Sequence, residues 1–295
     1  MDACTLCPRM CGVNRAAGEK GYCGMDATIR AARAALHMWE EPCISGTQGS
    51  GAVFFSGCSL RCIFCQNFEI AEGNCAKEIS GERLSEIFLE LQEQGAANIN
   101  LVTAAHYVPA VIESLKKAKA QGMDLPVIYN SSGYERVETV QMLEEVVDVW
   151  LPDFKYMDSK LAFAYSRAKD YPEVARAAIR EMMKAAGTCA YDEDGYIQKG
   201  VIVRHLILPG HTKNSIAVLD ELYGTYGDDL TISLMNQYTP LPQVWNIPDL
   251  NRRVTKREYE KVLDHALDLG ITQGFFQEGG TAKESFIPLF DYEGL

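Results

Sequence analysis

From Ala52 onward the sequence alternates between short β-branched or aromatic runs and longer stretches whose apolar positions recur at helical spacing. The strand-like runs are Val53–Ser56, Asn98–Thr103, Pro126–Asn130, Val147–Asp153, Val201–Leu208 and Leu230–Leu234. The helical stretches are Ser80–Gln94, Val108–Gln121, Glu135–Glu145, Pro172–Ala186, Ile216–Tyr223 and Lys256–Leu269. Six such units in a row, without hairpin dipeptides, imply a parallel sheet covered by helices. Right-handed crossovers curl these units into a barrel or part of one. A complete eight-unit barrel takes about 250 residues. The expected fold is therefore α/β: a partial (β/α)6 TIM-like barrel with a small N-terminal Cys-rich segment. The expected division is 1–51 as a metal-binding segment and connector, 52–270 as the core, and 271–295 as a C-terminal extension. In such a barrel the chemistry sits at the carboxyl ends of the strands.

Composition narrows the class further. The chain has 295 residues, with 28 basic against 40 acidic side chains and a net charge of −12. That balance argues against gripping nucleic-acid phosphates or anionic lipid by bulk charge. No apolar run approaches the roughly 18 residues of a membrane span, and the first residues lack a basic-then-apolar leader. The expectation is a soluble, cytoplasmic protein with neither membrane nor nucleic acid as a partner. Nine of the ten cysteines fall before residue 76, at 4, 7, 11, 23, 43, 58, 62, 65 and 75. Crowded thiols in a reducing compartment point to metal or redox chemistry rather than to disulfides.

Val53-Phe-Phe-Ser-Gly-Cys58-Ser-Leu-Arg-Cys62-Ile-Phe-Cys65-Gln-Asn67 begins on the first strand and runs into the following loop. Three thiolates at this spacing can wrap one face of an iron–sulfur cube and leave one corner without a protein ligand. An open corner lets a metal bind a substrate directly, whereas a structural zinc site is closed by four ligands. Cys75 is the candidate for that fourth ligand if the site is closed.

The Gly-Cys-x3-Cys-x-aromatic-Cys order, placed after the first barrel strand, resembles the radical S-adenosylmethionine superfamily. The run from Phe54 to Asn67 is similar to that of glycyl-radical-enzyme activases, such as pyruvate formate-lyase activating enzyme. Over its length the chain resembles a less-characterised branch of homologues of that activase, through the N-terminal cysteines, Glu40–Gly46 and Arg204–Gly210. The resemblance implies a 4Fe–4S cluster on Cys58, Cys62 and Cys65, with S-adenosylmethionine on the fourth iron. It also implies one-electron cleavage to a 5′-deoxyadenosyl radical that abstracts hydrogen. The electron would come from a donor such as flavodoxin or ferredoxin, and a glycyl-radical protein would be the substrate.

The same resemblance suggests roles at other strand ends. Phe64 corresponds to an aromatic that packs against adenine, although a core aromatic explains it equally well. Asn98–Thr103 departs from the Gly-Gly-Glu-like run that meets the methionine amino group, leaving Thr103, Asn100 and His106 as nearby polar groups. Asn130-Ser-Ser-Gly-Tyr134 resembles the activase Asp-Thr-Asn-Gly-Phe run, so Asn130 and Ser131 are cofactor candidates. With an aspartate of the next strand, that region is also a candidate for a monovalent cation. Asp153-Phe-Lys155 matches the Asp-x-Lys pattern, and residues two apart on an extended segment point the same way. Arg204 lies within an apolar strand and needs a carboxylate partner, because a buried unpaired guanidinium is costly. The resemblance offers the methionine carboxylate. His205 alternates to the other face and reads as structural. Asn236 and Gln237 stand where activases carry a histidine.

Cys4-x2-Cys7-x3-Cys11-x11-Cys23 is a four-thiolate set that suits zinc, a single iron or a second cluster. Zinc would clip a segment that has little core of its own, and iron could relay electrons. Cys43, Cys75 and Cys189 read as single thiols. The leading function is a radical enzyme acting on a protein or peptide. The alternatives are radical modification of a small molecule or nucleotide and, from another class, a non-catalytic redox sensor or scaffold.

Overall fold

The computed structural model describes residues 3–272, 274–277 and 288–295. The first elements are β1 (Arg30–His37), α1 (Pro42–Ser45), β2 (Ser50–Phe55), α2 (Phe68–Ala71) and β3 (Lys77–Glu78). They are followed by α3 (Gly81–Glu93), β4 (Ile99–Val102), α4 (Val108–Ala120), β5 (Val127–Ser131), α5 (Val137–Leu143) and β6 (Val149–Pro152). The second half adds α6 (Ser159–Ser166), α7 (Tyr171–Ala186), β7 (Ala190–Tyr191), β8 (Ile197–Leu206) and α8 (Thr212–Tyr226). It ends with β9 (Thr231–Met235), α9 (Lys256–Asp268) and β10 (Gly274–Phe276).

The sheet runs β10-β9-β8-β6-β5-β4-β2-β1-β3, with β7 attached to β8. From β2 to β10 along that order every described pairing is parallel. The six expected strands are all present. Parallel strands covered on both faces are apolar along their whole length, and every residue of β2, β4 and β6 is buried. The helices turn one apolar face to the sheet. In α3 that face is Leu84, Ile87, Phe88 and Leu91, and Ser80 caps the helix by accepting from the Arg83 N–H.

Four features depart from expectation. Residues 30–37 form β1, an antiparallel neighbour of β2, so the second half of the 1–51 segment belongs to the sheet. Arg-Ala-Ala-Arg-Ala-Ala-Leu-His lacks both β-branched residues and alternation, which hid the strand. A hairpin does exist: β7 pairs antiparallel with β8 across Asp192–Gly195, where Asp192 accepts from the Asp194 and Tyr196 N–H groups. Helix α6 follows Asp158, whose side chain caps it. In the 271–295 stretch, Gly274–Phe276 adds β10 beside β9. Near its end, the Tyr292 N–H donates to Ala32 (3.0 Å) and the Ala34 N–H donates to Glu293 (2.8 Å). The rest of that stretch, 278–287, lies outside the described residues. No described helix is long and apolar enough to cross a membrane.

Strand alternation sorts the side chains. Val127, Tyr129, Trp150 and Val203 join the main core under the helices. Ile128, Val149, Leu151, Ile197 and Ile202 face the barrel interior, where Cys43 and Ile44 of α1 pack on them. The connector between β1 and β2 therefore enters the barrel as a plug. Asn98 fastens it by donating to the Ile44 carbonyl at 2.7 Å.

Behind β5 the chain turns at Gly133, with φ +72°, so close to β6 that a Cβ there would stand 2.0 Å from the Asp153 carbonyl oxygen. Gly133→Ala is expected to destabilise the fold by about 2–3 kcal/mol. Urea unfolding of the two proteins checks this; an unchanged midpoint would show that the turn relaxes freely.

Candidate functional site

The inward positions that continue these strands to their carboxyl ends are Asn130, Asp153, Arg204 and Ser233. Asp153 and Arg204 are paired by an isolated parallel bridge, and Arg204 is in register with Ser233. They open onto a cavity of about 580 Å³. That is the size range of a pocket for one cofactor-sized ligand. Cys58, Cys62, Cys65, Phe64, Asn130, Ser131, Asp153, Lys155 and Arg204 all line it. Residues separated by 146 positions in sequence thus face one space.

Cys58 leads off the loop after β2. Its sulfur accepts the Leu60 and Arg61 N–H groups at 3.4 and 3.5 Å. The Ser166 hydroxyl donates to the Cys62 sulfur at 3.0 Å. Burial pushes the Cys62 thiol up to about 11, against Lys155 and Ser166, which pull it down. Burial raises Cys65 further, helped by its two neighbouring thiols. Such thiols ionise when a cation faces them. Cys75 is not part of this wall. Its thiol donates to the Phe290 carbonyl (3.0 Å), and it packs beside Ala32 and Phe54.

Phe64 stands where the wall of the cavity meets an aromatic cluster. It lines the cavity, and its ring packs edge-on against Tyr156 and Tyr165. Lys155 and Asp153 form an ion pair on the wall. Burial alone would lower the lysine, but Asp153 and the neighbouring thiols hold it above its ordinary value. The Ser131 hydroxyl accepts the Gly133 N–H at 3.2 Å. Thr103 lines the cavity with φ +62°, while Asn100 is buried beneath it. His106 and His205 face away. His106 Nε2 meets the Ser56 carbonyl and His205 Nδ1 meets Phe154, both at 2.7 Å, and burial lowers them to about 3 and 4. Gln237 lines the cavity, and the Asn236 N–H donates to Gln277.

Arg204 finds its carboxylate partners within the chain, in Glu40 and Glu41 of the plug. Its Nε donates to Glu41 at 2.8 Å, and Nη2 reaches both carboxylates. Glu40 also accepts from the Asn100 amide at 3.0 Å and from Asn130 at 3.4 Å. Burial would raise the Glu41 carboxyl, but Arg204 reverses this and holds it below its ordinary value. In the sequence the Glu40–Gly46 run carries a resemblance but no assigned task. An acidic pair in an otherwise apolar connector was its only available signal.

The N-terminal segment docks beside the loop after β2. Arg9 donates to the carbonyls of Ser59 (2.9 Å), Ser166 (2.8 Å) and Arg167 (2.6 Å). Arg136 and Thr139 donate to Thr5 and Leu6, each at 2.6 Å. Cys4, Cys7 and Cys23 are buried, while Cys11 is exposed. Among the described residues no set of three His, Cys, Asp or Glu side chains stands at metal-bonding spacing, and all ten cysteines are free thiols.

The Radical SAM superfamily model matches residues 52–222, more than half of the chain. The chain belongs to the radical SAM superfamily. An uncharacterized protein of Methanocaldococcus jannaschii is 29% identical over 270 residues, which cover 89% of this chain and 74% of that one. Among solved structures, SuiB of Streptococcus suis bound to S-adenosylmethionine has a TM-score of 0.49 at 13% identity, covering 75% of this chain and 48% of that one. The chain thus spans about half the length of that protein. A domain of pyruvate-formate lyase-activating enzyme from Bacteroides vulgatus has a TM-score of 0.41 at 17% identity, covering 58% of this chain and 92% of that one.

Membership of this superfamily implies a 4Fe–4S cluster and S-adenosylmethionine. The donor set fits them: three thiols at one end of a cavity whose walls carry both charges, polar side chains and an aromatic. Breaking the Arg204 cluster gives a stability test. Arg204→Met leaves Glu40 and Glu41 buried without a cation, at a cost of about 3–5 kcal/mol at neutral pH. Glu41 is depressed in the native protein, so its stabilisation is full above its ordinary value of 4.5 and is lost as pH falls through the lower folded value. In the variant burial alone acts on the Glu41 carboxyl and raises it instead. The deficit should therefore shrink towards pH 5, as read by denaturant unfolding across pH, whereas a deficit independent of pH would contradict the pairing.

Proposed function

We propose that this chain is a radical enzyme that holds its 4Fe–4S cluster through Cys58, Cys62 and Cys65 and acts on a protein or peptide in the manner of a glycyl-radical activase. The observation that carries the reading is the convergence of those thiols with Phe64, Asn130, Ser131, Asp153, Lys155 and Arg204 on one cavity. When bound, the cluster and S-adenosylmethionine together supply one-electron cleavage of the sulfonium and a carbon radical that abstracts hydrogen. The protein's part is to position and exclude. Lys155 offers an ammonium to a carboxylate, Asp153 an acceptor to hydroxyls, and Phe64 a face for a purine. Asn130 and Ser131 add neutral polar contacts. Glu40 restores a carboxylate beside Asn130, which supports a monovalent cation there.

The size of the cavity favours a polypeptide substrate. A space of about 580 Å³ suits a single cofactor-sized ligand, so the reacting group must be offered at its mouth, as a flexible backbone segment would be. The electron donor fitting this chemistry is a flavodoxin or ferredoxin. We assign residues 1–29 to a second metal-bearing unit, with zinc or iron on its cysteines, docked on a core that begins at β1.

Anaerobic reconstitution with iron and sulfide, then dithionite and S-adenosylmethionine, should yield 5′-deoxyadenosine. Cys62→Ala should abolish it, and Lys155→Met should weaken cofactor binding by roughly 10-fold to 100-fold, the range for losing one charged hydrogen bond. Iron-loaded protein that forms no more 5′-deoxyadenosine than Cys62→Ala would sink the reading. Electron paramagnetic resonance on mixtures with candidate glycyl-radical proteins tests the substrate class: an organic radical on the partner supports it, and cofactor cleavage without one for any candidate argues for a small molecule.

A further inference from the structure

Basic side chains are outnumbered in this acidic chain, yet three stretches gather them. Residues 159–169, 209–215 and 251–257 hold eight of the 28 Lys and Arg, and all 40 Asp and Glu lie elsewhere. The fold brings the three together around the loop after β8. The Tyr165 hydroxyl of α6 meets His211 Nε2 at 2.8 Å, and the Gly210 N–H donates to Glu258 of α9 at 2.7 Å. Arg252 and Lys256 pair with Glu258 and Glu260. The other six, Lys160, Arg167, Lys169, Lys213, Arg253 and Arg257, are exposed and form no ion pair among the described residues. Among the neighbouring carboxylates, Asp158 caps α6, Asp170 accepts from the Tyr134 hydroxyl and Asp249 stands beside Gly210. The balance is a strip of excess positive charge on a chain of net charge −12.

Helix α6 joins this surface to the candidate site. Its inner residues Ala162, Tyr165 and Ser166 are buried. The Tyr165 carbonyl accepts the Ile63 N–H at 2.9 Å, and the Ser166 hydroxyl donates to the Cys62 sulfur at 3.0 Å. Its outer face carries Lys160 and, one turn on, Phe163, which is 60% exposed, with Arg167 at the helix end. An exposed aromatic flanked by unpaired cations has the make-up of a protein-docking surface, apolar at its centre and charged at its rim. No residue of the three stretches lines the cavity. A partner held here therefore leaves the cavity walls untouched while lying one helix away from Cys62. We propose that this face docks an acidic one-electron donor protein of the flavodoxin or ferredoxin class, with Phe163 as the anchor and Lys160, Arg167, Lys213 and Arg253 as the charged rim. A substrate has to reach the cavity, whereas a donor needs only closeness to the thiol loop. The partner loses one electron and the cluster on Cys58, Cys62 and Cys65 gains it, with no bond made or broken in the transfer. Because the chain as a whole is acidic, an acidic partner is attracted by this face and repelled by the remainder, which orients its approach.

This inference rests on the radical-enzyme reading, and the experiment separates the two. The full chain, reconstituted with iron and sulfide, is titrated by calorimetry with an oxidised acidic flavodoxin and an oxidised acidic ferredoxin at low and high salt. Formation of 5′-deoxyadenosine is measured in parallel with dithionite and with each reduced donor. At least one donor should bind, and more weakly at high salt. Lys160→Glu combined with Arg167→Glu should weaken that binding by roughly tenfold or more, as should Phe163→Ala, whereas Lys116→Glu on α4 should leave it unchanged. Dithionite-driven turnover should be equal in all variants, which shows that they fold, while donor-driven turnover falls in step with affinity. Donor affinity indifferent to the two charge reversals, or no binding by either donor, overturns the docking face. If a single-stranded RNA or a candidate glycyl-radical protein loses binding in that variant while the donors keep theirs, the face belongs to that partner and the proposal falls. Absence of 5′-deoxyadenosine with dithionite strikes the radical reading instead, and calorimetry still decides the docking face.

Discussion

The candidate site depends on six strands of the sheet running the same way. Parallel pairing brings the carboxyl ends of β2, β4, β5, β6, β8 and β9 to one rim. Alternation then decides which side chain at each end faces inward. Asp153 and Arg204 share a level because their backbones are bridged, and the thiol loop lies over that level because it leaves from the end of β2. The helices α3 to α9 supply the burial that holds this register, and none of their residues lines the cavity.

The inside of the barrel carries the main energetic tension. A guanidinium enclosed by strands is tolerable only with charge and hydrogen-bond partners around it. The connector before β2 provides them in consecutive residues, Glu40 and Glu41, and its next turn seals the interior with Cys43 and Ile44. One loop therefore fills the barrel and sets its electrostatics. Two carboxylates against one guanidinium leave an excess negative charge beside the cavity, and Asp153 with Lys155 adds none. A cationic ligand would be favoured there on charge alone.

The readability of the sequence follows physical lines. The six parallel strands were legible because strands buried on both faces are mainly apolar, as in Val149–Leu151. β1 was hidden because alanine and arginine carry no strand signature, although Phe55 and Val53 of its partner were plain. That the Cys58–Cys65 loop and the Asp153–Lys155 pair line the cavity was legible because each is a short local pattern at a strand end. Glu40 and Glu41 were not, because the guanidinium that gives them meaning lies more than 160 residues away.

The closing residues of the chain have a consequence for handling the protein. β1 would be an open edge over much of its length, but Tyr292 and Glu293 bond to Ala32 and Ala34, while Arg33 pairs with Asp291 and Glu293. The tail thus shields backbone groups that could otherwise template pairing with a second molecule. Any fusion or truncation at this end acts on the sheet's outer margin, where self-association between copies begins, rather than on a dispensable appendage.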